Sequence, residues 1–181
     1  MTGVPLTARR TGAASRRAAH RWSVPALWLA MVTMGLMAGL FYGFSIAVMP
    51  GLARADDHTF VQAMQRINES IENPVFFAAF FGAFVFTGAA AVAARRAGTR
   101  SAARWIAAAL ALYTVALLVT IGVNVPLNDE LARAGDTGLA AARAGFEDVW
   151  VAANAARALA CTLAVACLAR AAAPLRRDTG T

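Results

Sequence analysis

Four long segments that contain almost no charged side chains restrict the fold of this chain more than any other feature. They cover residues 24–49, 74–94, 105–125 and 150–168, and only the last contains a charge, Arg157. A helix needs about 20 apolar residues to cross the roughly 30 Å hydrocarbon core of a bilayer. The sequence therefore predicts an all-α protein, a four-helix transmembrane bundle formed by residues 24–172.

The charged residues outside these segments divide unequally between the two sides of the predicted membrane. Residues 1–23, 95–104 and 169–181 contain twelve arginines and one aspartate, whereas residues 50–73 and 126–149 contain four arginines and nine acidic residues. Short cytoplasmic loops carry the arginine excess. We therefore expect a plasma or inner membrane protein with both termini cytoplasmic, in which 1–23 and 173–181 are tails. The net charge of +7 then reflects topology, and no nucleic-acid partner is expected.

The basic start followed by an apolar segment also resembles a secretory signal peptide. The apolar region of such a signal is only about 7 to 15 residues long. The first apolar segment here is far longer, which favours a helix that is retained in the protein.

The connection between the first two segments has the pattern of an amphipathic helix. Residues 56–59 offer helix-capping side chains, and the helix is expected to end before Pro74. Apolar residues then recur at helical spacing, at Phe60, Met64, Ile67 and Ile71. We predict an extracytoplasmic helix that covers the outer mouth of the bundle.

The connection before the last segment is predicted to be interrupted. Pro126 is expected to end the third helix and to force Val125 out of α geometry. Asn128 is then expected to cap a short helix that ends at Arg133, and a further helix from Leu139 is expected to lead into the last span. Earlier in the chain, Gly35, Gly39 and Gly43 form two overlapping GxxxG steps, which predict close packing of the first helix.

Polar residues within the spans are the candidates for function, because they cost free energy in lipid. Each lies in the outer half of its span. Together they predict an outward-opening pocket lined by Tyr42, Ser45, Asn124, Asn154 and Arg157. The alternative is that the asparagines and Arg157 only form hydrogen bonds between helices. The phenylalanines of the second span are either lipid and core contacts or an aromatic wall of the pocket.

Five segments of the sequence resemble the anthrone-oxygenase-like family of four-helix membrane proteins, over about residues 30–165. They are GFS at 43–45, VMPGL at 48–52, MQRIN at 64–68, NVPLN at 124–128 and the W-x3-N-x2-R motif from Trp150 to Arg157. The last two are the most specific. The chain departs from the family at Ala153, where a second tryptophan is common.

The resemblance implies an oxygenase that needs no cofactor or metal and that converts an anthrone-type methylene into a quinone carbonyl with O2. Its partners would be a small apolar aromatic substrate and the lipid bilayer. Arg157, Asn154 and Asn124 would stabilise the enolate in a site of low dielectric constant. The base stays open among His58, Glu69 and Glu72. Candidate substrate-binding residues are Tyr42, Ser45, Met64, Gln65, Asn68 and Trp150.

Other functions remain open at this point. The main alternative is a non-catalytic membrane protein, either a ligand binder or an accessory subunit of a complex. A proton-coupled transporter is disfavoured because no span contains a carboxylate. A copper-like site at His58, Met49 and Met64 matches no specific spacing. Assembly into a homo-oligomer is a further expectation.

Overall fold

The computed structural model describes residues 6–135 and 137–173, with side chains from residue 24 onwards. The described part is helical and contains no strand. In chain order its elements are α1 (Leu6–Gly43), the π-helical turn π1 (Phe44–Val48), α2 (Met49–Leu52), α3 (Asp57–Ile71), α4 (Pro74–Arg96), α5 (Arg100–Val119), the π-helical turn π2 (Thr120–Asn124), α6 (Val125–Ala132) and α7 (Leu139–Ala172). The predicted C-terminal tail lies outside this description from residue 174, as do the side chains of the N-terminal tail.

Four helical stretches are long and apolar enough to cross a membrane, and each contains one predicted span. They are Val24–Leu52, Pro74–Arg96, Arg100–Ala132 and Leu139–Ala172. Helix α1 packs on α4 and α7, and α5 also packs on both. The prediction of an all-α membrane bundle is confirmed.

The two ends of this bundle differ. The end where α4 joins α5 carries four arginines, and we call it the basic end; they are Arg95, Arg96, Arg100 and Arg104. The opposite end is formed by α2, α3, α6 and the start of α7, and we call it the capped end. The two names describe the molecule alone and do not depend on its orientation in a membrane.

Alanine side chains fill the core towards the basic end. Buried examples on the four long helices are Ala30, Ala83, Ala90, Ala109 and Ala164. Small side chains allow helix backbones to approach closely. Among the described glycines, the tightest contact between helices is at Gly82, where an added Cβ would lie 3.3 Å from Thr33 Cγ2. The GxxxG glycines make no close contact within the described part of the chain, since a Cβ at Gly35, Gly39 or Gly43 would meet no atom there within 4 Å.

Larger side chains fill the core of the capped end. This second cluster consists of Met49, Phe60, Val61, Met64, Leu131, Phe146 and Trp150. Arg143 connects the start of α7 with the residues between α2 and α3. Its guanidinium donates hydrogen bonds to the Ala53 and Ala55 carbonyls, at 3.0 and 2.8 Å. It also pairs with Asp57 and Glu147 at 3.1 and 2.7 Å.

The amphipathic helix between the first two spans is present as α3. The Asp56 side chain caps it by accepting a 3.0 Å hydrogen bond from the Thr59 N–H. This bond lowers the pKa of the Asp56 carboxyl. Phe60, Val61 and Met64 are buried against the bundle. Helix α3 packs on α6 and α7 and therefore covers the capped end.

The predicted break at Pro126 is wrong. Val125 keeps helical backbone angles, φ −64° and ψ −50°. The π2 turn places an extra residue in the helix just before the proline, so Pro126 occupies the first turn of α6, where its missing N–H is not needed. Asn128 consequently lies inside α6 and is not a cap. The π1 turn precedes Pro50 in the same way.

The last span forms one continuous helix. Helix α7 begins at Leu139, after Gly138 in the left-handed conformation at φ 78°, and extends to Ala172. The expectation that a helix from Leu139 leads into the span is confirmed. Because α7 is continuous, Trp150, Asn154 and Arg157 follow one another on the same helix, from the capped end towards the middle of the bundle.

Candidate ligand cavity beside Arg157

A cavity of about 330 Å³ lies within the bundle near the capped end. Its size falls at the lower end of the range for small-molecule sites. All four long helical stretches and the end of α3 contribute to its wall. The lining residues are Leu40, Phe41, Phe44, Asn68, Ile71, Glu72, Phe76, Phe77, Phe80, Phe81, Leu117, Thr120, Ile121, Asn124, Val125, Asn128, Trp150, Asn154 and Arg157.

Arg157 is the buried charge in this wall, with 6% of its surface exposed. Its guanidinium donates to Thr120 Oγ1 at 3.2 Å and to Asn154 Oδ1 at 3.0 Å. Its Cζ lies 4.3 Å from the ring centroid of Phe41 and 5.6 Å from that of Trp150. Among the described residues no carboxylate pairs with it. The positive charge is therefore held by neutral oxygens and aromatic faces, which leaves it available to an anion.

Asn154 joins Arg157 to the first span. Its Nδ2 donates to the Phe41 carbonyl at 2.9 Å and to Ser45 Oγ at 2.8 Å, while its Oδ1 accepts from Arg157. Ser45 Oγ in turn donates to the Phe41 carbonyl at 3.1 Å. The alternative of hydrogen bonding between helices is correct for Asn154, because both ends of its amide are occupied. We therefore treat it as a positioning residue.

A second set of polar contacts connects α6 with α7. Trp150 Nε1 donates to Asn128 Oδ1 at 2.8 Å, and this bond orients the indole in the cavity wall. Asn124 Nδ2 donates to the Trp150 carbonyl over a longer 3.4 Å. The π2 turn, which carries Thr120 and Asn124, thereby brings both side chains to the α7 face that holds Arg157.

Three buried polar atoms in the lining residues have no hydrogen-bond partner. They are Arg157 Nε, Asn124 Oδ1 and Asn68 Nδ2. Buried polar groups in proteins are almost always satisfied, so each exception requires an explanation. All three atoms belong to residues that line the cavity, and each atom is itself covered by its neighbours.

The apolar part of the wall is largely aromatic, and α4 supplies four of its rings. The rings of Phe76 and Phe80 are stacked with centroids 5.3 Å apart, and those of Phe77 and Phe81 with centroids 6.0 Å apart. The interpretation of these residues as an aromatic wall is confirmed for these four. Flat side chains of this kind suit a flat aromatic ligand.

Glu72 is the acidic residue in the lining, at the carboxyl end of α3. The other two candidate bases lie elsewhere. His58 is exposed and its Nε2 hydrogen-bonds with Gln62 at 3.0 Å, while Glu69 is exposed on α3 and does not line the cavity. His58 does not line the cavity, because its position at the exposed start of α3 places its ring on the outer surface.

The structure separates the predicted site residues into two groups. Arg157, Asn154, Asn124, Asn68 and Trp150 all line the cavity. The prediction for Tyr42 is wrong, because its side chain is 55% exposed and points away from the cavity that neighbouring Phe41 lines. Ser45 contributes only through its hydrogen bond to Asn154.

Two further predicted residues hold the cap together and do not line the cavity. Met64 is fully buried in the cluster of the capped end. Gln65 Nε2 donates to the Leu131 carbonyl at 2.8 Å, which ties α3 to α6. Both lie within the MQRIN segment, but only Asn68 of that segment reaches the cavity.

Sequence reasoning did not assign Phe41, Phe44, Thr120 or Asn128 to the site. Thr120 lies one turn before Asn124, and this spacing alone assigns it no role. The spacing of Asn128 to Pro126 suggested a cap, whereas the π2 turn makes it a partner of Trp150. Phe41 shows no distinguishing pattern among the apolar residues of the first span, and Phe44 is distinguished only as part of the GFS segment.

The fold and the cavity define a class of protein: a helical membrane protein with a partly aromatic internal cavity and, among the described residues, one buried arginine. A family model described as anthrone oxygenase matches residues 75–167, just over half of the chain. The chain belongs to this family. The match includes the α4 aromatic wall, the NVPLN segment and the Trp150 to Arg157 motif. No curated protein and no solved structure matches the chain significantly.

Proposed function

We propose that this protein oxidises the methylene group of an anthrone-type aromatic ketone with O2 and releases the corresponding quinone. It acts in the plasma or inner membrane, with four spans and the basic end in the cytoplasm. The observation that carries the proposal is the unpaired Arg157 guanidinium in the wall of an aromatic cavity. Membership of the anthrone oxygenase family supports the substrate class.

Arg157 stabilises negative charge on the substrate oxygen. Removing a proton from the methylene of an anthrone moves charge onto the ketone oxygen and gives an enolate. A fixed cation such as the Arg157 guanidinium, which lines the cavity, favours this anion because a site with little water weakens the attraction only slightly. The Asn154 amide holds the guanidinium in place through Nη2.

Glu72 is the proposed general base. Among the described residues it is the carboxylate in the cavity lining. As an exposed side chain at the end of α3 it can also exchange its proton with water. Proton transfer of this kind contributes about 10²- to 10⁴-fold to rate.

The reaction balances without a cofactor. Glu72 removes one methylene proton, the enolate transfers one electron to O2, and the resulting carbon radical and superoxide combine through a new C–O bond to give a peroxide. The peroxide takes up that proton. Loss of the second hydrogen from the same carbon as a proton then breaks the O–O bond, so that a carbonyl forms and one water leaves. One O2 is consumed for each quinone.

The test is oxidation of anthrone by the purified full chain in lipid nanodiscs, followed by O2 uptake and quinone absorbance. We expect wild type to exceed the rate in empty nanodiscs and Arg157→Ala to lose about 100-fold in kcat. Arg170→Ala is the matched control, since Arg170 is an exposed arginine of the same helix at the basic end. Equal rates for wild type and Arg157→Ala would contradict the role of Arg157.

A loss of folding in Arg157→Ala would give the same result as a loss of catalysis. Arg157→Lys separates the two, because it retains the charge in the cavity but not the planar set of donors. We expect Arg157→Lys to retain more activity than Arg157→Ala at equal thermal stability. If wild type is no faster than empty nanodiscs, the oxygenase proposal fails and a non-catalytic ligand binder is the better account.

A further inference from the structure

The cavity reaches the outside of the bundle on one side, between α4 and the segment formed by π2 and α6. Four lining residues there are also substantially exposed. Phe77 and Phe81 of α4 are 40% and 57% exposed, and Ile121 and Val125 of the opposite segment are 65% and 44% exposed. We call these four residues the side opening.

The opening exists because α4 and α5 separate towards the capped end. Nearer the basic end the two helices are in contact, and Tyr113 Oη donates to the Phe80 carbonyl at 2.7 Å. Beyond that point, among the described residues, α4 makes no extended contact with π2 or α6. The other long-helix interfaces, α1 with α4, α1 with α7 and α5 with α7, are extensive.

The side opening itself is apolar, and the exposed Glu72, which also lines the cavity, lies at the end of α3, five residues before Phe77. All four of its side chains are apolar, whereas the polar side chains Asn154 and Arg157 belong to α7, which packs on α1 and α5. Phe77 lies three residues after the start of α4, so the opening begins about 5 Å along the span. In a bilayer it faces the acyl chains.

We infer that the cavity is loaded sideways, by apolar aromatic molecules that enter from the acyl-chain region through the side opening. The identity of the molecule, an aromatic ketone, rests on the proposed function; the opening itself does not. A flat apolar ketone concentrates in the bilayer, since burial of its surface there is favourable. The cluster of the capped end blocks the direct route from water above Trp150, because Phe146 and Met64 are buried within it.

The test measures contact between lipid and Trp150, which lines the cavity and is 4% exposed. The reporter protein has Trp22, Trp28 and Trp105 replaced by phenylalanine. It is placed in nanodiscs of phospholipids brominated on the acyl chain, since bromine quenches indole fluorescence on close approach. Aqueous iodide is the opposing quencher. We expect bromolipid to quench Trp150 and iodide to leave it almost unchanged.

Substitutions at the side opening sharpen this test. Ile121→Phe and Val125→Phe, each made separately, place a larger side chain in the opening, and we expect each to reduce the bromolipid quenching of Trp150 by at least half. Leu118→Phe is the matched control, because Leu118 is 64% exposed on α5 but does not line the cavity. It should behave like the reporter protein.

Two results would overturn sideways loading. The first is quenching of Trp150 fluorescence by iodide and not by bromolipid. The second is equal bromolipid quenching in the three variants Ile121→Phe, Val125→Phe and Leu118→Phe. No substrate is present in these measurements. Failure of the oxygenase assay together with quenching as expected would therefore contradict the proposed function and leave the side opening supported.

Discussion

The two halves of the bundle are built differently. Towards the basic end the four long helices meet through alanines such as Ala83, Ala90, Ala109 and Ala164. Towards the capped end they carry phenylalanine, tryptophan, asparagine and arginine, and two π-helical turns alter their course. The first half is closely packed, and the second encloses a cavity of about 330 Å³.

This difference shows how one bundle can combine a closely packed base with an internal cavity. Small residues draw backbones together at the basic end. At the capped end the bulky side chains hold the helices apart, and π turns, which often occur at functional sites, turn Thr120 and Asn124 towards α7. The comparison predicts that substitutions in the two halves affect different properties.

The largest effect is expected for the base. Glu72→Gln retains size and polarity but cannot accept the methylene proton, so kcat/KM for anthrone oxidation should fall about 10²- to 10⁴-fold with unchanged thermal stability. Glu69→Gln is the matched control, because Glu69 is on the same helix but does not line the cavity. Comparable O2 uptake by both variants would rule out Glu72 as the base.

The next effect concerns the link between α1 and Arg157. Asn154→Ala removes hydrogen bonds to Phe41, Ser45 and Arg157. We expect a loss of about 2 to 4 kcal/mol in unfolding free energy, given about 1 kcal/mol for each ordinary bond and more where a charge is involved. Ser45→Ala breaks only one of these bonds and should cost about 1 kcal/mol. Denaturant titration checks both, and similar values for the two would argue against the central position of Asn154.

A third pair of variants enlarges one side chain in each half of the bundle. Ala90→Leu overfills the alanine-packed half and should reduce unfolding free energy by about 1 to 3 kcal/mol. Leu117→Phe enlarges a cavity-lining side chain, so the protein should stay stable while binding of anthraquinone is lost. Thermal unfolding and ligand titration separate these effects. A stable Ala90→Leu protein would contradict close packing at the basic end.

The smallest effect is expected at the indole. Trp150→Phe retains the aromatic ring but removes the 2.8 Å bond to Asn128, at a cost of about 1 kcal/mol. A double-mutant cycle with Asn128→Ala isolates that bond. Strictly additive losses would show that the bond contributes nothing.

Much of this architecture could be predicted from the sequence, because the responsible signals are local. Uncharged windows identify the four spans, and the Asp56 cap with Phe60 and Met64 at helical spacing identifies α3. The shared face of Trp150, Asn154 and Arg157 also follows from spacing alone. These three residues do line one cavity.

The remaining features depend on tertiary geometry. Pro126 normally predicts a break, but the π2 turn, which no residue pattern announces, carries the helix through it. Tyr42 and Phe41 are neighbours in an apolar span, and only the packing of α1 decides that Phe41 faces the cavity. The distinction between Glu72 and His58 as base candidates likewise depends on how α3 rests on the bundle.

The central claim is that an aromatic ketone binds with its oxygen beside the Arg157 guanidinium. Isotope-edited infrared spectroscopy of carbonyl-labelled anthraquinone in nanodiscs tests this directly, since a hydrogen bond from a cation lowers the C=O stretching frequency. We predict a shifted band with wild type that is absent with Arg157→Met and retained with the control Arg170→Met. A bound ligand whose band is the same in wild type and Arg157→Met would contradict the account.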